Sequence, residues 1–226
     1  MADDYHIDLK KISISKFRKI LETAELVPSR RILQEKTAEK FELLQKLGAQ
    51  SMYDVALLLK TPKERAETAK KTGISEDYLT ILKREIGSYL PKPVAFAKFP
   101  GLCDSLLAKL ERAGIKNTKQ LYAKGKTKRD RKTLCKRIGI DEEQMMELVK
   151  LTDLSRIKWI GPVFSRIFYA SGFDTAEKIA AAEATSLFGR LVDINRKHNF
   201  VRANFTENDA GLVIEAARIV PKSIEY

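Results

Sequence analysis

A stretch of this chain occurs twice, and this internal repeat constrains the possible folds more than any other feature of the sequence. Residues 41–85 align without a gap with residues 107–151, at an offset of 66 residues. Ten of the aligned positions are identical, where average composition would give about three. Two glycines and one arginine recur in both copies: Gly48 and Gly114, Gly73 and Gly139, Arg65 and Arg131. A fixed internal period indicates an array of one supersecondary unit, and such arrays usually present a surface rather than a catalytic pocket.

The spacing of the apolar residues predicts an all-α protein. Apolar side chains recur every three or four residues, as in FELLQKLG from residue 41, and no alternation of period two is sustained. Thr61, Pro62 and Glu64 form a capping box with proline at the first helical position. Further helix starts are predicted at Ser75, Thr127, Asp141 and Thr206. The glycines of the repeat are expected to end helices in a left-handed conformation.

These boundaries divide the chain into three predicted units. Residues 88–101 contain three prolines and cannot form one helix. They separate residues 1–90, which hold N-terminal capping helices and the first unit, from residues 91–152, the second unit. The third unit is residues 153–226, including a C-terminal helix. We predict that the units stack as a helical array, with short helices in residues 11–35 covering one apolar end.

The positive charge of the chain is concentrated in the second unit. The net charge is +12; residues 1–90 contribute +3, residues 91–150 contribute +8 and residues 151–226 contribute +1. A concentrated basic region favours an anionic partner, of which nucleic acid is the commonest. A solvated face that only keeps the protein soluble is the alternative.

Nothing in the sequence indicates export or membrane insertion. No run approaches the ~18 apolar residues of a membrane span, and the N-terminal MADDYHIDLKK has no apolar core of a secretory signal. A cytoplasmic protein without membrane contact is expected. Cys103 and Cys135 form no CxxC pair and have apolar neighbours, so both are expected to be buried, reduced thiols.

Two segments have the form of a turn between helices, hydrophobic–x–Gly–hydrophobic–Gly followed by a helix. In the third unit, Gly161 occupies the second glycine position, and Gly172 ends the helix eleven residues later. In the second unit, Cys103 stands eleven residues before Gly114, and Gly101 occupies the first glycine position.

On these residues the chain resembles tandem helix-hairpin-helix proteins of the sterile-alpha-motif-like class. More narrowly, it resembles an uncharacterised bacterial family of such repeats that is defined by a domain of unknown function. The resemblance extends over roughly residues 26–221. It implies non-sequence-specific DNA binding, in which hairpin amides and a helix N-terminus contact a phosphate. Such contacts position a duplex without reading its bases.

The chain departs from the hairpin pattern in each unit. The third unit has Trp159 at the first glycine position, the second has Cys103 at the second position, and the first has no hairpin glycine near Thr37. A side chain at these places can obstruct close approach to a phosphate. The candidate hairpin residues are Gly101, Trp159, Gly161 and Pro162. The alternative is that the hairpins only pack two helices together, and Trp159 with the aromatic residues that follow it is expected in the core.

The second candidate site is a basic helix. Residues 124–137 contain eight basic residues and one acid, whereas the equivalent residues 58–71 contain five and two. A helix over residues 128–138 places Leu134, Cys135 and Ile138 inward, with Arg131 beside them as a structural residue like Arg65. The candidate nucleic-acid contacts are Lys124, Lys126, Lys128, Arg129, Lys132 and Lys136, with the first three at the helix start. A purely structural role for this helix is the alternative.

The sequence does not indicate an enzyme. His6 and His198 have no Cys or carboxylate at metal-ligand spacing, and no glycine-rich phosphate loop or nucleophile elbow is present. We therefore expect no catalytic residue, metal or cofactor. The expected function is non-sequence-specific binding of nucleic acid, with double-stranded DNA preferred; the alternative is a protein–protein scaffold with an acidic partner. The sequence leaves the oligomeric state open.

Overall fold

The structure is a computed structural model that describes residues 4–202 and 205–226. It is 67% helix, and the described residues contain no strand. The α-helices are α1 Ile14–Thr23, α2 Thr37–Lys46, α3 Met52–Leu58, α4 Pro62–Thr72, α5 Glu76–Ser88, α6 Asp104–Arg112, α7 Thr118–Gly125, α8 Lys128–Ile138, α9 Glu142–Leu154, α10 Pro162–Ser171, α11 Ala176–Ala180, α12 Ala184–His198 and α13 Glu207–Arg218. Short 3₁₀ helices cover Leu9–Lys11, Pro28–Gln34 and Phe96–Lys98. The prediction of an all-α protein is confirmed.

Two pairs of helices in the two copies of the repeat have bounds that coincide at the 66-residue offset. Helices α4 and α8 both have 11 residues and α5 and α9 both have 13, and in each pair the first and last residues are equivalent. The helix starts also correspond, because Ser51 caps α3 and its equivalent Asn117 caps α7, both within capping boxes. Equivalent capping residues therefore begin equivalent helices in the two copies.

Each copy also pairs with the segment that precedes it. An isolated antiparallel bridge joins Ser13 to Ser51, and another joins Ala95 to Asn117, the residue equivalent to Ser51. In the second copy the bridge consists of hydrogen bonds from Phe96 N to Lys116 O and from Thr118 N to Val94 O. The proline-containing segment before α6 thus has a structural role: it anchors the start of α7.

The chain divides into two compact units. One is Asp8–Tyr89, and the other consists of the described residues of 1–7 together with those of Leu90–Tyr226. In the compact unit Asp8–Tyr89, buried apolar side chains of α1 to α5 form the core, among them Phe17, Phe41, Leu44 and Leu82. Nothing in this division tests the predicted separation of residues 91–152 from residues 153–226, which stays a prediction.

The second compact unit has two hydrophobic clusters. One is formed by residues from Phe96 to Leu151 and includes the buried faces of α6 to α9; the other extends from Leu154 to Val220 and includes α10 to α13. Tyr169 of α10 packs against both clusters. Helix α9 packs against α7, α8 and α10, so α8 rests on a well-packed support.

The caps expected from the sequence are present. Thr61 and Glu64 form the capping box of α4, with Pro62 at its first position. Thr127 accepts a hydrogen bond from the backbone N–H of Asp130 at the start of α8. The four glycines of the repeat have positive φ, as predicted: Gly48, Gly73, Gly114 and Gly139.

Candidate nucleic-acid interface

Helix α8 has the predicted bounds and separates its side chains into two faces. Leu134, Cys135 and Ile138 are buried, as expected, and contribute to the cluster beneath the helix. Four basic side chains are exposed: Lys128, Arg129, Lys132 and Lys136. Their spacing of one, three and four residues places them on one side of the helix. None of these four forms an ion pair with a carboxylate of the described residues. We call this surface the α8 basic face.

Arg131 is a structural residue, as predicted. Its side chain is buried, and Nη1 donates hydrogen bonds to Gly125 O at 3.1 Å and Lys126 O at 2.9 Å. Its equivalent Arg65 donates from Nη1 to Leu59 O at 3.2 Å. Leu59 is the residue 66 positions before Gly125, so both arginines tie the start of one helix to the end of the preceding helix. Burial lowers the pKa of Arg131, although nearby carboxylates oppose that shift.

The N-terminal end of α8 is covered by acidic groups from distant parts of the chain. Lys126 Nζ lies 2.9 and 2.8 Å from the two carboxylate oxygens of Asp4. The backbone N–H of Lys128 donates to Glu225 Oε2 at 3.1 Å, and Arg131 Nη2 donates to Glu225 O. A carboxylate at this end is stabilised by the helix dipole. A phosphate at the first amide of α8 would therefore have to displace Glu225.

The charges of Asp4 and Lys126 stabilise each other. The hydrogen bond to Asp4 raises the pKa of Lys126. Burial raises the pKa of Asp4, but the hydrogen bond and positive charge of Lys126 outweigh burial and lower it overall. Lys126 also lies 5.1 Å from the centroid of the Tyr122 ring. Of the six predicted contacts, Lys126 is thus held in a structural ion pair, whereas Lys124 is exposed beside the helix start.

The two predicted hairpins share a backbone conformation. Gly101 has φ 84° and Trp159 has φ 71°, so the first glycine position is left-handed in both. The residues two positions later, Cys103 and Gly161, are extended, and neither provides a side-chain cap to the helix that follows. Pro162 is the first residue of α10. A left-handed conformation is strained for a residue as bulky as tryptophan.

The surroundings of the two hairpins differ. Arg166 of α10 packs on the first hairpin: its Nε donates to Pro100 O at 2.6 Å, and its Cζ lies 3.6 Å from the position of a Cβ built on Gly101. Arg166 Nη1 also pairs with Glu147 at 2.5 Å. The hairpin at Gly101 thus joins α6 to α10. Apart from Gly161 and its two chain neighbours, no described residue has a heavy atom within 4 Å of a Cβ built on Gly161.

Two expectations about burial were wrong. Trp159 is 46% exposed rather than part of the core, because its left-handed backbone lies in the turn outside α10; Lys158 Nζ lies 4.0 Å from its ring centroid. Cys103 is exposed, whereas Cys135 is buried as expected. Cys103 occupies the N-cap position of α6 and therefore precedes the buried stripe of that helix. Hydrogen bonds from Ser105 and the Leu106 backbone lower the pKa of the Cys103 thiol.

The structure also shows a basic cleft that the sequence analysis missed. It lies between the C-terminal ends of α6 and α8, and its lining includes Lys109, Arg112 and Arg137. Arg137 belongs to the basic run of residues 124–137, but its position on the side of α8 away from Lys132 separated it from the predicted face. The excess of positive charge across all of residues 91–150 is the sequence signal that could have found it.

Among the described residues, no group of three or more His, Cys, Asp or Glu side chains could hold a metal ion. None of the described helices combines the length and the apolar character that a membrane span requires.

Comparison with known proteins defines the family. The chain belongs to the DUF4332 family, a domain of unknown function whose pattern matches residues 100–219. The matched region begins at the hairpin before α6 and ends just after α13, so it includes the α8 basic face. No curated protein and no solved structure matches the chain at a significant level.

Proposed function

We propose that this protein is a non-enzymatic module that binds the phosphate backbone of double-stranded DNA without reading its sequence. The observation that carries the proposal is the α8 basic face, four exposed cations without a carboxylate partner among the described residues. Surface cations in proteins are commonly interspersed with acids, which lowers their attraction for polyanions. Here the single acid of α8, Asp130, is engaged with Thr127 at the helix start.

The size of the expected effect follows from counterion release. If Lys128, Arg129, Lys132 and Lys136 each neutralise one phosphate, the logarithm of the binding constant falls with the logarithm of salt concentration at a slope of about −3.6. Between about 50 and 200 mM salt, the affinity then falls about 150-fold. Lys124, which is exposed before the helix, would make the slope slightly steeper.

We further propose that the units are degenerate helix-hairpin-helix elements. The shared left-handed and extended backbone at Gly101 and Trp159 supports this interpretation. We assign the DNA contact to α8 rather than to the hairpins, because Arg166 occupies the hairpin at Gly101 and the Trp159 side chain stands where a phosphate would need close approach. The hairpins in this proposal serve mainly to join helices.

The packing of Arg166 on the hairpin also supports the second candidate function, a protein–protein scaffold. In that case the α8 basic face would attract an acidic protein rather than DNA. Both candidates predict salt-sensitive binding of an anion, but only the first predicts binding of a duplex by the isolated protein.

Fluorescence anisotropy with a labelled DNA duplex across a salt series tests the proposal. The α8 variant replaces Lys128, Arg129, Lys132 and Lys136 with Glu. The control variant replaces four exposed cations of the first copy with Glu: Lys46, Lys63, Lys70 and Lys71. Both variants change the net charge equally, so a nonspecific charge effect would weaken both alike.

We expect the α8 variant to lose detectable binding and the control to retain at least half of the free energy of binding. Duplex RNA and single-stranded DNA in the same assay identify the preferred nucleic acid. The proposal is wrong if the unmodified protein fails to bind at low salt, or if the two variants lose affinity equally. Circular dichroism spectra must show that both variants are folded.

A further inference from the structure

The basic cleft between α6 and α8 is the strongest unassigned feature of the structure. It has a volume of about 560 Å³. Three cationic side chains line it, Lys109, Arg112 and Arg137, together with three residues at the ends of the two helices, Ala113, Ile138 and Gly139. No carboxylate belongs to its lining. Glu111, the acid nearest in sequence, is paired with Lys116 at 3.1 Å.

The cleft is preorganised on one side. Lys109 Nζ donates to Gly139 O at 2.7 Å, across the cleft from α6 to the residue that ends α8. Arg112 Nε donates to Ala108 O at 3.3 Å within its own helix. Neither Arg112 nor Arg137 forms an ion pair with a carboxylate of the described residues, and both are exposed. Two guanidinium groups are therefore available beside an anchored ammonium group.

Helix dipoles alone do not account for this charge. The cleft lies at the C-terminal ends of α6 and α8, and each such end is equivalent to about −0.5 elementary charge. Cations are favourable there for this reason. Two helix ends nevertheless contribute only about −1, against three formal positive charges on the lining side chains. An excess of about two positive charges remains.

The first copy of the repeat is an internal reference for the same architecture. Helices α2 and α4 end at the residues equivalent to the ends of α6 and α8. The equivalents of Arg112 and Arg137 are Lys46 and Lys71, but the equivalent of Lys109 is Leu43. In the first copy, two lysines are therefore enough to balance the partial negative charge of these helix ends. The second copy has one cation more at the equivalent positions, and two of its three cations are arginines.

We propose that this cleft binds a phosphate-class anion, either a free oligophosphate or a phosphodiester of a nucleic-acid backbone. Arg112 and Arg137 supply planar, bidentate donors suited to phosphate oxygens, and Lys109 supplies a fixed point charge. The proposal does not depend on DNA binding by the α8 basic face, because it rests on the cleft alone. We also expect the cleft to be more selective for phosphate than the α8 basic face, since guanidinium groups bind phosphate oxygens with defined geometry.

Titration of the ¹⁵N-labelled protein with sodium tripolyphosphate tests the proposal. We expect saturable shifts of the backbone amide signals of Ala113 and Gly139, which line the cleft, and a matching isotherm by calorimetry. The variant Arg112→Gln/Arg137→Gln should bind about 100-fold more weakly, about tenfold for each guanidinium. The control Lys46→Gln/Lys71→Gln removes the equivalent charges of the first copy and should bind as the unmodified protein does.

The α8 variant with four Glu substitutions separates this proposal from the proposed function. It should no longer bind DNA, but tripolyphosphate should still shift the amide signals of Ala113 and Gly139. Added DNA duplex distinguishes the two sources of phosphate: displacement of tripolyphosphate indicates a backbone phosphate, and coexistence indicates a free oligophosphate. Either result supports the site. Absence of saturable shifts at Ala113 and Gly139, or equal affinity in the Arg112→Gln/Arg137→Gln variant, overturns the proposal.

Discussion

Replacement of Arg156 by methionine should destabilise the unit that carries α8 more than any surface change. The Arg156 side chain is 0% exposed, and its Nη1 pairs with Asp153 Oδ1 at 2.7 Å. Its Nε donates to Tyr5 O at 3.0 Å, and its Nη2 donates to Asp4 O at 3.3 Å and Pro221 O at 2.8 Å. One guanidinium thus holds the beginning and the end of the described chain against α9.

The expected magnitude follows from what the substitution leaves behind. Methionine fills much of the volume but leaves the buried Asp153 without its cation, although Asp153 Oδ2 still accepts from Ala176 N at 2.8 Å. Three backbone carbonyls also lose a donor. Breaking a buried pair by removing one partner costs about 3–5 kcal/mol. Summing the separate hydrogen bonds would give more, but such contributions are not additive.

Urea unfolding monitored by tryptophan fluorescence measures this loss directly, because Trp159 is the chain's single tryptophan and lies in the same compact unit. The control Arg129→Met changes an exposed cation and should cost less than about 0.5 kcal/mol. The double variant Asp153→Asn/Arg156→Met should lose less than the sum of the single variants, because no charge remains uncompensated. A loss below about 1 kcal/mol for Arg156→Met would refute the reasoning.

Changes at Glu225, at the two cysteines and at Asp174 have further expected effects. Glu225→Gln should strengthen duplex binding about threefold, because it removes an anion from the first amide of α8, a change of about 0.7 kcal/mol; anisotropy measures it. A thiol reagent should modify the exposed Cys103 in the folded protein and Cys135 only after unfolding, because burial raises the pKa of the Cys135 thiol. Asp174→Asn should reduce stability at pH 7, and the difference should shrink below about pH 4.

The contacts of Asp174 explain why its carboxylate should stabilise the protein at neutral pH and not at low pH. Its carboxylate oxygens lie 2.5 Å from Lys150 Nζ and 2.6 Å from Lys178 Nζ. Burial raises the pKa of Asp174, but these two partners outweigh burial and lower it. A lowered folded-state pKa stabilises the protein above the unfolded value, and this contribution is lost as the pH falls through the folded value.

Each of the three predictions has an outcome that contradicts it. Unchanged or weaker duplex binding by Glu225→Gln would show that the carboxylate does not compete with phosphate. Equal reaction rates of the two thiols in the folded protein would contradict the burial of Cys135. A stability difference for Asp174→Asn that stays constant from neutral pH to pH 3 would mean that the carboxylate does not titrate with folding.

The local part of the fold could be predicted from the sequence because its signals are local. Thr61, Pro62 and Glu64 lie within four residues of one another, and their capping box forms as expected. The bounds of α8 follow from Thr127 at one end and Gly139 at the other. The inward position of Arg131 follows from helical periodicity, but its acceptor at Glu225 lies 94 residues away and left no local signal.

The candidate site could be predicted only in part. The density of positive charge identified α8 as a candidate site. From the sequence alone, Lys126 and Lys132 were both predicted to contact nucleic acid, but Lys126 is paired with Asp4, 122 residues away. Trp159 was wrongly expected in the core because it lies in a turn. The direction of a side chain in a turn depends on the local backbone conformation, which helical periodicity does not predict. Cys103 was misplaced because it occupies the N-cap position of α6, before Leu106 and Leu110, the buried residues of that helix.

The sequence by itself determined where several helices begin and end, that one unit is repeated at an offset of 66 residues, and that the positive charge is concentrated in the second copy. The helix bounds depend on residues within a few positions of each other, and the repeat and the charge distribution can be read directly from the order of the residues. Only the tertiary structure decided which cations are available to a partner. Asp4 and Glu225 lie far from α8 in sequence but cover its N-terminal end, and the α6 and α8 ends bring Lys109 and Arg112 beside Arg137. The physical reason is that ion pairing depends on distances of a few ångströms, and for residues far apart in the sequence those distances are set by long-range packing.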